Sequence, residues 1–410
     1  MKKGLGVNLI FIVSQYNKNS LNALFAALGK QAIDGLEIKL IKQEEISAKL
    51  VDCLAIQERP CVIAWSFTSI EFERIRKKIK SILDFKKRGK TKTILIAGGP
   101  HPSGNPASCI KAGFDYCFVG EGEKSFPNFI TKIIDNELPR DRIIPGTRVD
   151  INEYACVAKN FPFFVPIEIT RGCPFGCKYC QTSYLFGPYR HRTLKKIIEG
   201  VRLSVKKGYH RIRFLTPNGL AYPSLEELLA KTKEVEGVEK IYLGNFPSEL
   251  WPGHITESKL RLLRKYVDNS WITIGAQTGS IRLLKKMHRL HGVEQVKKAT
   301  QLALKVGFNV NLDFIFGLPE ETTIDLKLTK KFIQELLALS SSRVRIHAHY
   351  FLPLPGTPWA EKKPTRIPDG FFGFLTRLEK SGLLYGDWRL QIGFSDKIFE
   401  MSSNDVPKTN

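Results

Sequence analysis

The chain reads as an α/β protein in two parts, a doubly wound parallel sheet followed by a partial (βα)6 barrel. Three observations predict this. Short apolar runs of buried type alternate with helical periods from residue 7 to about residue 134, the pattern of repeated βα units. The alternation lapses over 136–165, a stretch poor in helical period that holds Pro139, Pro145 and Pro162 and leads to Pro166. It restarts at 166 and gives six βα units, two short of a closed eight-fold barrel.

Taken in order, Val7–Val13 is the first strand and Leu21–Leu28 the first helix, then Leu36–Leu40 a short strand. Val62–Phe67 is a strand, followed by an amphipathic helix from about Ile70 to Phe85. Thr93–Ala97 runs into Gly98-Gly99-Pro100, and Phe114–Val119 into Gly120-Glu121-Gly122, before a helix over Ser125–Ile134. In a doubly wound fold, ligands sit beyond the carboxyl ends of the strands. The turns GGPHPSG (98–104) and VGEGE (119–123) lie at such ends. The barrel strands are expected at Ile167–Thr170, Arg211–Thr216, Lys240–Leu243, Trp271–Gln277, Asn309–Phe316 and Val344–Phe351. Residues 353–410 carry Pro353, Pro355 and Pro358, one helix near 370–381 and an irregular polar tail. The domains are therefore expected at 1–135 and 166–352, with 136–165 a linker and 353–410 a C-terminal extension.

With 410 residues, 43% hydrophobic and 25% charged, the composition is that of a folded chain and excludes a disordered one. No apolar run reaches about 18 residues, so no spanning helix is expected. The N-terminal apolar run is short, lacks a small-residue cleavage site and reads as a strand, which points to the cytoplasm. The net charge of +23 suits an anionic partner, either an acidic surface or nucleic acid; a solvated basic surface is the plain alternative. Two basic clusters stand out. One runs from Arg74 to Lys92 on a predicted helix and its exit and reads as a solvated face. The other, from Arg190 to Arg213, follows the main motif and has the better claim to function.

That motif is Arg171-Gly172-Cys173-Pro174-Phe175-Gly176-Cys177-Lys178-Tyr179-Cys180, spaced Cys-x3-Cys-x2-Cys. Three of eight cysteines fall within eight residues, which argues for a metal. Cys53, Cys61, Cys109, Cys117 and Cys156 are scattered, mostly in apolar surroundings, and read as core residues. Three thiolates at a strand end suit three irons of a [4Fe–4S] cluster. Electron-transfer clusters take four Cys, so a set of three leaves one iron open to a ligand. The rival is zinc with a remote fourth ligand, Cys156 or His191, although zinc sites usually come as paired CxxC knuckles and no second pair exists.

The motif, with an aromatic residue before its last Cys, resembles the radical SAM superfamily. Further segments agree: IGAQTGS (274–280), LKKMHR (284–289), DFIFGLPEET (313–322) and FLPLPGTP (351–358). They resemble the fourth-, fifth- and sixth-strand motifs of the subgroup that includes methylthiotransferases and cobalamin-dependent enzymes. The resemblance implies that Cys173, Cys177 and Cys180 ligate the cluster, that S-adenosylmethionine (SAM) chelates the open iron, and that a reductant drives its cleavage to a 5′-deoxyadenosyl radical. It places Tyr179 near the adenine, Gln277 near the ribose, and Arg282 and Arg289 near the carboxylate. Where the superfamily often has a Gly-Gly-Glu-like element for the SAM amino group, this chain has Leu215-Thr216-Pro217-Asn218-Gly219, so Thr216 and Asn218 are the substitutes. The first domain resembles the cobalamin-binding domain of B12-dependent radical SAM enzymes. The implied cobalamin contacts are Gly98, Gly99, His101, Ser103, Gly120, Glu121 and Gly122. The Asp-x-His-x-x-Gly lower-ligand motif of other B12 proteins is absent.

The implied activity is cobalamin-dependent methylation of an unactivated carbon, in a small molecule or an RNA, with Tyr222, Trp251 and Trp359 as candidate cavity walls. A radical cyclisation or rearrangement with the same cofactors is the nearest rival. Methylthiotransfer is less favoured, because that group carries a three-Cys cluster in its first domain. A basic nucleic-acid-binding protein with a structural metal site is a non-enzymatic rival.

Overall fold

The computed structural model describes residues 6–46, 60–88 and 93–405. Cys53, Lys90 and Lys92 of the sequence reading lie outside them. The chain forms two compact units, one from Met1–Val165 with Leu354–Gly356, the other from Pro166–Pro353 with Thr357–Ser403.

The first unit runs β1 (Val7–Val13), α1 (Lys18–Gln31), β2 (Leu36–Lys42), β3 (Cys61–Ser66), α2 (Ser69–Arg88), β4 (Thr93–Gly98), α3 (Pro100–Gly104), α4 (Pro106–Ala112), β5 (Tyr116–Val119), α5 (Ser125–Ile134) and β6 (Ile143–Pro145). All six strands are parallel, in the order β2-β1-β3-β4-β5-β6. Strand β1 is buried along its whole length, as a parallel strand covered by helices on both faces must be. The apolar side of α2 sets Phe72, Ile75, Ile79 and Ile82 into the core. Its basic side is a solvated face, where Arg76 pairs with Glu73 and Lys86 with Asp115.

The expected linker at 136–165 is instead part of this unit. Strand β6 pairs with β5, and Ala158, Phe161 and Val165 join the core built on Phe11, Phe126 and Phe129. The Asn22 side chain ties the segment down. It donates to the Cys156 carbonyl at 2.9 Å and accepts from the Ala158 N–H at 2.8 Å. Three edge residues and an irregular stretch show no period that a sequence could reveal.

The second unit runs β7 (Ile167–Glu168), β8 (Thr170–Arg171), α6 (Gln181–Phe186), β9 (Arg190–His191), α7 (Leu194–Lys206), β10 (Arg211–Leu215), α8 (Leu225–Lys233), β11 (Lys240–Tyr242), α9 (Glu257–Tyr266), β12 (Trp271–Gln277), α10 (Ile281–Lys286), α11 (Val293–Lys305), β13 (Asn309–Phe316), α12 (Thr323–Ala338), β14 (Val344–Tyr350), α13 (Asp369–Lys380), β15 (Leu384–Tyr385) and α14 (Trp388–Asp405). Parallel strands β11-β10-β7 form one sheet and β12-β13-β14-β15 another. A parallel bridge from Leu250 to Ile274 joins them, and the Thr273 N–H donates to the Gly244 carbonyl. The six expected strand positions are present, with the first split into β7 and β8.

Two differences stand out. A seventh short strand, β15, extends the sheet beside β14. The expected irregular tail is helical over α14, because Trp388 and Ser395 are buried and the Ser395 hydroxyl donates to the Phe351 carbonyl at 2.6 Å. The second basic cluster is partly structural too. Buried Arg192 and half-buried Arg171 bind Glu168 at 3.0 and 2.7 Å, and the Arg190 guanidinium donates to the Phe186 carbonyl. No helix among the described residues is long and apolar enough to cross a membrane.

Candidate active site

The three-thiol loop leaves the carboxyl end of β8 through Gly172, whose φ is +76°. A Cβ there would lie 2.3 Å from the Pro188 carbonyl oxygen, so only glycine fits. The Cys173 N–H donates to the Gly187 carbonyl, and the Cys180 N–H to that of Cys177. Cys177 is buried, while Cys173 and Cys180 are partly exposed. The chain after α10 clamps this loop from outside. The His288 ring bonds the Gly176 carbonyl at 3.1 Å, the Lys178 N–H donates to the Met287 carbonyl, and Arg289 Nη1 reaches the Cys177 sulfur at 3.5 Å.

Arg289 is the central cation of this site. Its Nη2 donates to the Gly275 carbonyl at 3.0 Å, and its buried Nε has no protein partner. A Cβ at Gly275 would meet Gln277 Nε2 at 2.7 Å and Arg289 Nη2 at 2.9 Å, so a larger residue would displace both side-chain ends. Gln277 itself bends into the left-handed region at φ +70°. Thus Gln277 and Arg289 both stand at Gly275, and Arg289 reaches on to Cys177.

Burial pushes the Cys173 and Cys180 thiols up; for Cys180, contacts with Thr182 and the Arg289 charge push the other way. Burial also raises the Tyr179 phenol. Thiols so placed become thiolates when a cation binds them. Three thiols on one loop, one buried guanidinium touching a sulfur and an unpartnered Nε beside them fit an anionic iron–sulfur group with an anionic ligand. Of the fourth ligands a zinc ion would need, Cys156 is buried and the His191 ring packs edge-on to Tyr222.

Other candidates are engaged elsewhere. Arg282 does not join the thiols, because it pairs with Asp325 at 2.5 Å and donates to the Glu320 carbonyl at 2.9 Å. Asp325 also accepts from Ser280 and Thr322, and these partners outweigh burial to hold its carboxyl well below the usual range. Thr216 and Asn218 stand at the end of β10. The Thr216 hydroxyl bonds that of Thr170 at 2.6 Å. The Asn218 side chain accepts from the Leu220 and Trp251 N–H groups and bonds the His254 ring at 2.8 Å. Both therefore serve to hold the strand ends. Of the proposed cavity walls, the Tyr222 hydroxyl donates to the Arg192 carbonyl. Trp359 packs with Tyr179, Met287 and Phe351 in a buried cluster. Trp251 lies against Phe175 of the cysteine loop, ring centroids 4.5 Å apart.

Sequence reasoning missed a polar cluster deeper on the same sheet. Along β14 the residues alternate, so that Val344, Ile346, Ala348 and Tyr350 are buried and Arg345, His347 and His349 share the other face. Asp313 of β13 stands opposite His347 in register, with Oδ1 2.8 Å from His347 Nδ1 and 3.9 Å from His349 Nε2. The two rings outweigh burial and hold the Asp313 carboxyl below its ordinary value. Burial, and then the Asp313 charge, push the nearby Glu249 carboxyl up to about 7. The His-x-His pattern of β14 was the available signal. It needed the pairing with Asp313 to become a site.

In the first unit the turns after β4 and β5 meet. Ser103 Oγ accepts from the Gly120 N–H at 2.9 Å. Gly99, at φ +97°, has no room for a Cβ, which would lie 2.6 Å from Ser66 Oγ; Gly98 completes the end of β4. Around Gly120, at φ +85°, the nearest atom to an added Cβ is 4.0 Å away, so its backbone is open to a flat group, and Gly122 packs on Leu24. Glu121 is not a free contact, because its carboxylate is buried and accepts from the Val149 N–H. His101 needs correction as well. It is buried against the Phe72 ring, and its nitrogens bond Ser69 and Ser108 at 3.0 Å each. It orders the turn and presents no nitrogen to a metal. The glycine backbone, with Ser103 holding the two turns together, thus fits a flat cofactor that takes no histidine from this turn.

Comparison with known proteins agrees with this division. Residues 167–333 match the radical SAM superfamily and residues 7–130 the B12 binding domain. A solved structure of TsrM, a radical SAM methyltransferase from Kitasatospora setae with cobalamin and a [4Fe–4S] cluster bound, has a similar fold. Its TM-score is 0.66 at 15% identity, covering 88% of this chain and 77% of that one. An uncharacterised protein of Methanopyrus kandleri is 22% identical over 345 residues, 68% of this chain and 64% of its own length. The tRNA-2-methylthio-N(6)-dimethylallyladenosine synthase of Anaplasma phagocytophilum is 29% identical over 211 residues, 48% of this chain and 44% of its own. The chain therefore spans less than two thirds of the length of these two curated relatives.

Proposed function

We propose that the chain is a radical SAM enzyme with a B12-binding domain ahead of its barrel, and that it methylates an unactivated carbon of its substrate. When bound, the [4Fe–4S] cluster with SAM supplies a hydrogen-abstracting radical, and cobalamin supplies a transferable methyl group. The residues of this chain hold and orient these groups. Cys173, Cys177 and Cys180 would ligate iron. Arg289 places a fixed cation at Cys177, where it offsets the charge of thiolates and of a bound carboxylate. Gln277 offers an amide beside it. The turns at Gly98–Gly99 and Gly120 would approach a corrin through backbone alone.

The observation that carries methyl transfer over methylthiotransfer is the state of the first-unit thiols. Cys61, Cys109 and Cys117 are each at most 2% exposed and sit on β3, α4 and β5, so they are core residues and offer no second cluster among the described residues. Methylthiolation of an RNA is the second reading, favoured by the named synthase among the relatives and by the charge of +23. The test is anaerobic reconstitution with iron, sulfide and hydroxocobalamin, then reduction with SAM. About four irons per chain, retained cobalamin, 5′-deoxyadenosine and S-adenosylhomocysteine are expected. About eight irons would favour methylthiolation, and 5′-deoxyadenosine without S-adenosylhomocysteine a rearrangement. No cluster at all would sink the radical reading.

A further inference from the structure

We propose that Asp313, His347 and His349 form a second metal site, which takes one divalent transition-metal ion on the barrel sheet, separate from the three thiols. Two imidazoles and a carboxylate are a donor set suited to Zn²⁺, Fe²⁺, Mn²⁺ or Co²⁺. Their ligand atoms all lie within 4.8 Å of one another. Donors of a tetrahedral zinc site stand about 3.3 Å apart, and the measured edges of 2.8 and 3.9 Å bracket that value. The hydrogen bond to Asp313 accounts for His347. It leaves His349 unexplained, because Nε2 at 3.9 Å is too far to bond the same oxygen and close enough to share a cation with it.

The scaffold is of the kind that keeps ligands in place. All three residues lie on paired strands, and His347 and His349 share a face because they are two residues apart on β14. The Tyr385 ring of β15 stacks on His347 with centroids 4.6 Å apart and planes 12° apart, and the two imidazoles pack 4.2 Å apart. Three protein ligands leave an open position. An ion there would bind a substrate through an oxygen-bearing group, a hydroxyl, carboxylate or phosphate, and fix it on the barrel sheet.

The probe is Co²⁺, titrated into the full chain carrying Cys173→Ala, Cys177→Ala and Cys180→Ala, so that these thiols cannot take the metal. One equivalent is expected, with visible ligand-field bands, no thiolate charge-transfer band and displacement by Zn²⁺. His347→Ala and His349→Ala should each weaken binding at least tenfold, and His291→Ala, a buried histidine outside the group, should leave it unchanged. If the triple variant does not fold, the native chain is reconstituted with iron and sulfide alone, no cobalamin added, and the cobalt it takes up from Co²⁺ is read by elemental analysis, with and without His349→Gln. Absence of stoichiometric cobalt, or binding indifferent to His347 and His349, would overturn the proposal. Cluster assembly is read independently, as iron and SAM cleavage in the chain with its thiols intact, so the two readings fail separately.

Discussion

The turns of the first unit and the strand ends of the barrel were both expected to offer polar side chains to a cofactor, and they use those side chains in opposite ways. In the first unit, His101, Ser103 and Glu121 are consumed in holding the turns, and the surface left over is glycine backbone. In the barrel, Thr216 and Asn218 hold the strand ends, while three cysteines outside any disulfide lie on one loop and Arg289 Nε has no protein partner. The difference follows from what each group must recognise. A flat macrocycle needs close approach, which a side chain blocks. An iron–sulfur group needs donors and a compensating charge, which backbone alone does not supply.

The sharpest way to break this contrast is at Cys177. Cys177→Ala should abolish cluster binding and SAM cleavage while the first unit still retains cobalamin, measured as iron content and visible absorption after gel filtration. Loss of both together would mean that the two regions are not separable. Arg289→Ala comes next. It removes a buried charge-assisted contact worth about 1.5–3 kcal/mol, so SAM cleavage should fall by about 10–100-fold. Arg282→Ala, the partner of Asp325, should leave cleavage per folded molecule unchanged. Equal effects from the two arginines would remove the special standing of Arg289.

In the first unit, His101→Ala should cost about 2–3 kcal/mol in urea unfolding, because two buried hydrogen bonds and an aromatic contact are lost. The visible spectrum of bound cobalamin should not change. A shift of those bands would show that the ring had been a cobalt ligand, and would bring the two regions back to one design.

Much of this layout was legible in the sequence, for identifiable reasons. Apolar runs such as VNLIFIV at β1 and VNLDFIF in β13 announce strands because both faces are covered. The cysteine spacing announced its loop because the three ligands are local. What failed needed contacts distant in sequence. Arg282 and Arg289 are equally basic and seven residues apart, and only the fold sends one to Asp325 and the other to Cys177. His101 sits in a Gly-rich turn, and nothing local says that Ser69 and Phe72 enclose it. Segment 136–165 and helix α14 gain order from what they bury, Phe161 and Trp388, more than from their own period.

A structural carboxyl of the barrel sharpens the comparison through the pH dependence of stability. Glu321 follows β13 in the turn GLPEET. One oxygen accepts from the Gly317 N–H at 2.8 Å and the other is buried without a partner. Burial pushes this carboxyl up to about 8, against backbone bonds from Gly317 and Leu318 that favour the charged form. The folded value lies above the unfolded one near 4.3, so the native state binds the proton more tightly. Its contribution is therefore full below about 4.3 and is lost as pH rises through about 8, with a slope of at most about 1.4 kcal/mol per pH unit. Asp325 works in the reverse sense, since its depressed value makes its contribution fade only in acid. Urea unfolding of the barrel between pH 5 and pH 8 should show a decline that Glu321→Gln flattens. A decline of equal slope in that variant would move its origin to another group, and the Glu321 turn would then be held ionised by the backbone donors it shares with the strand end.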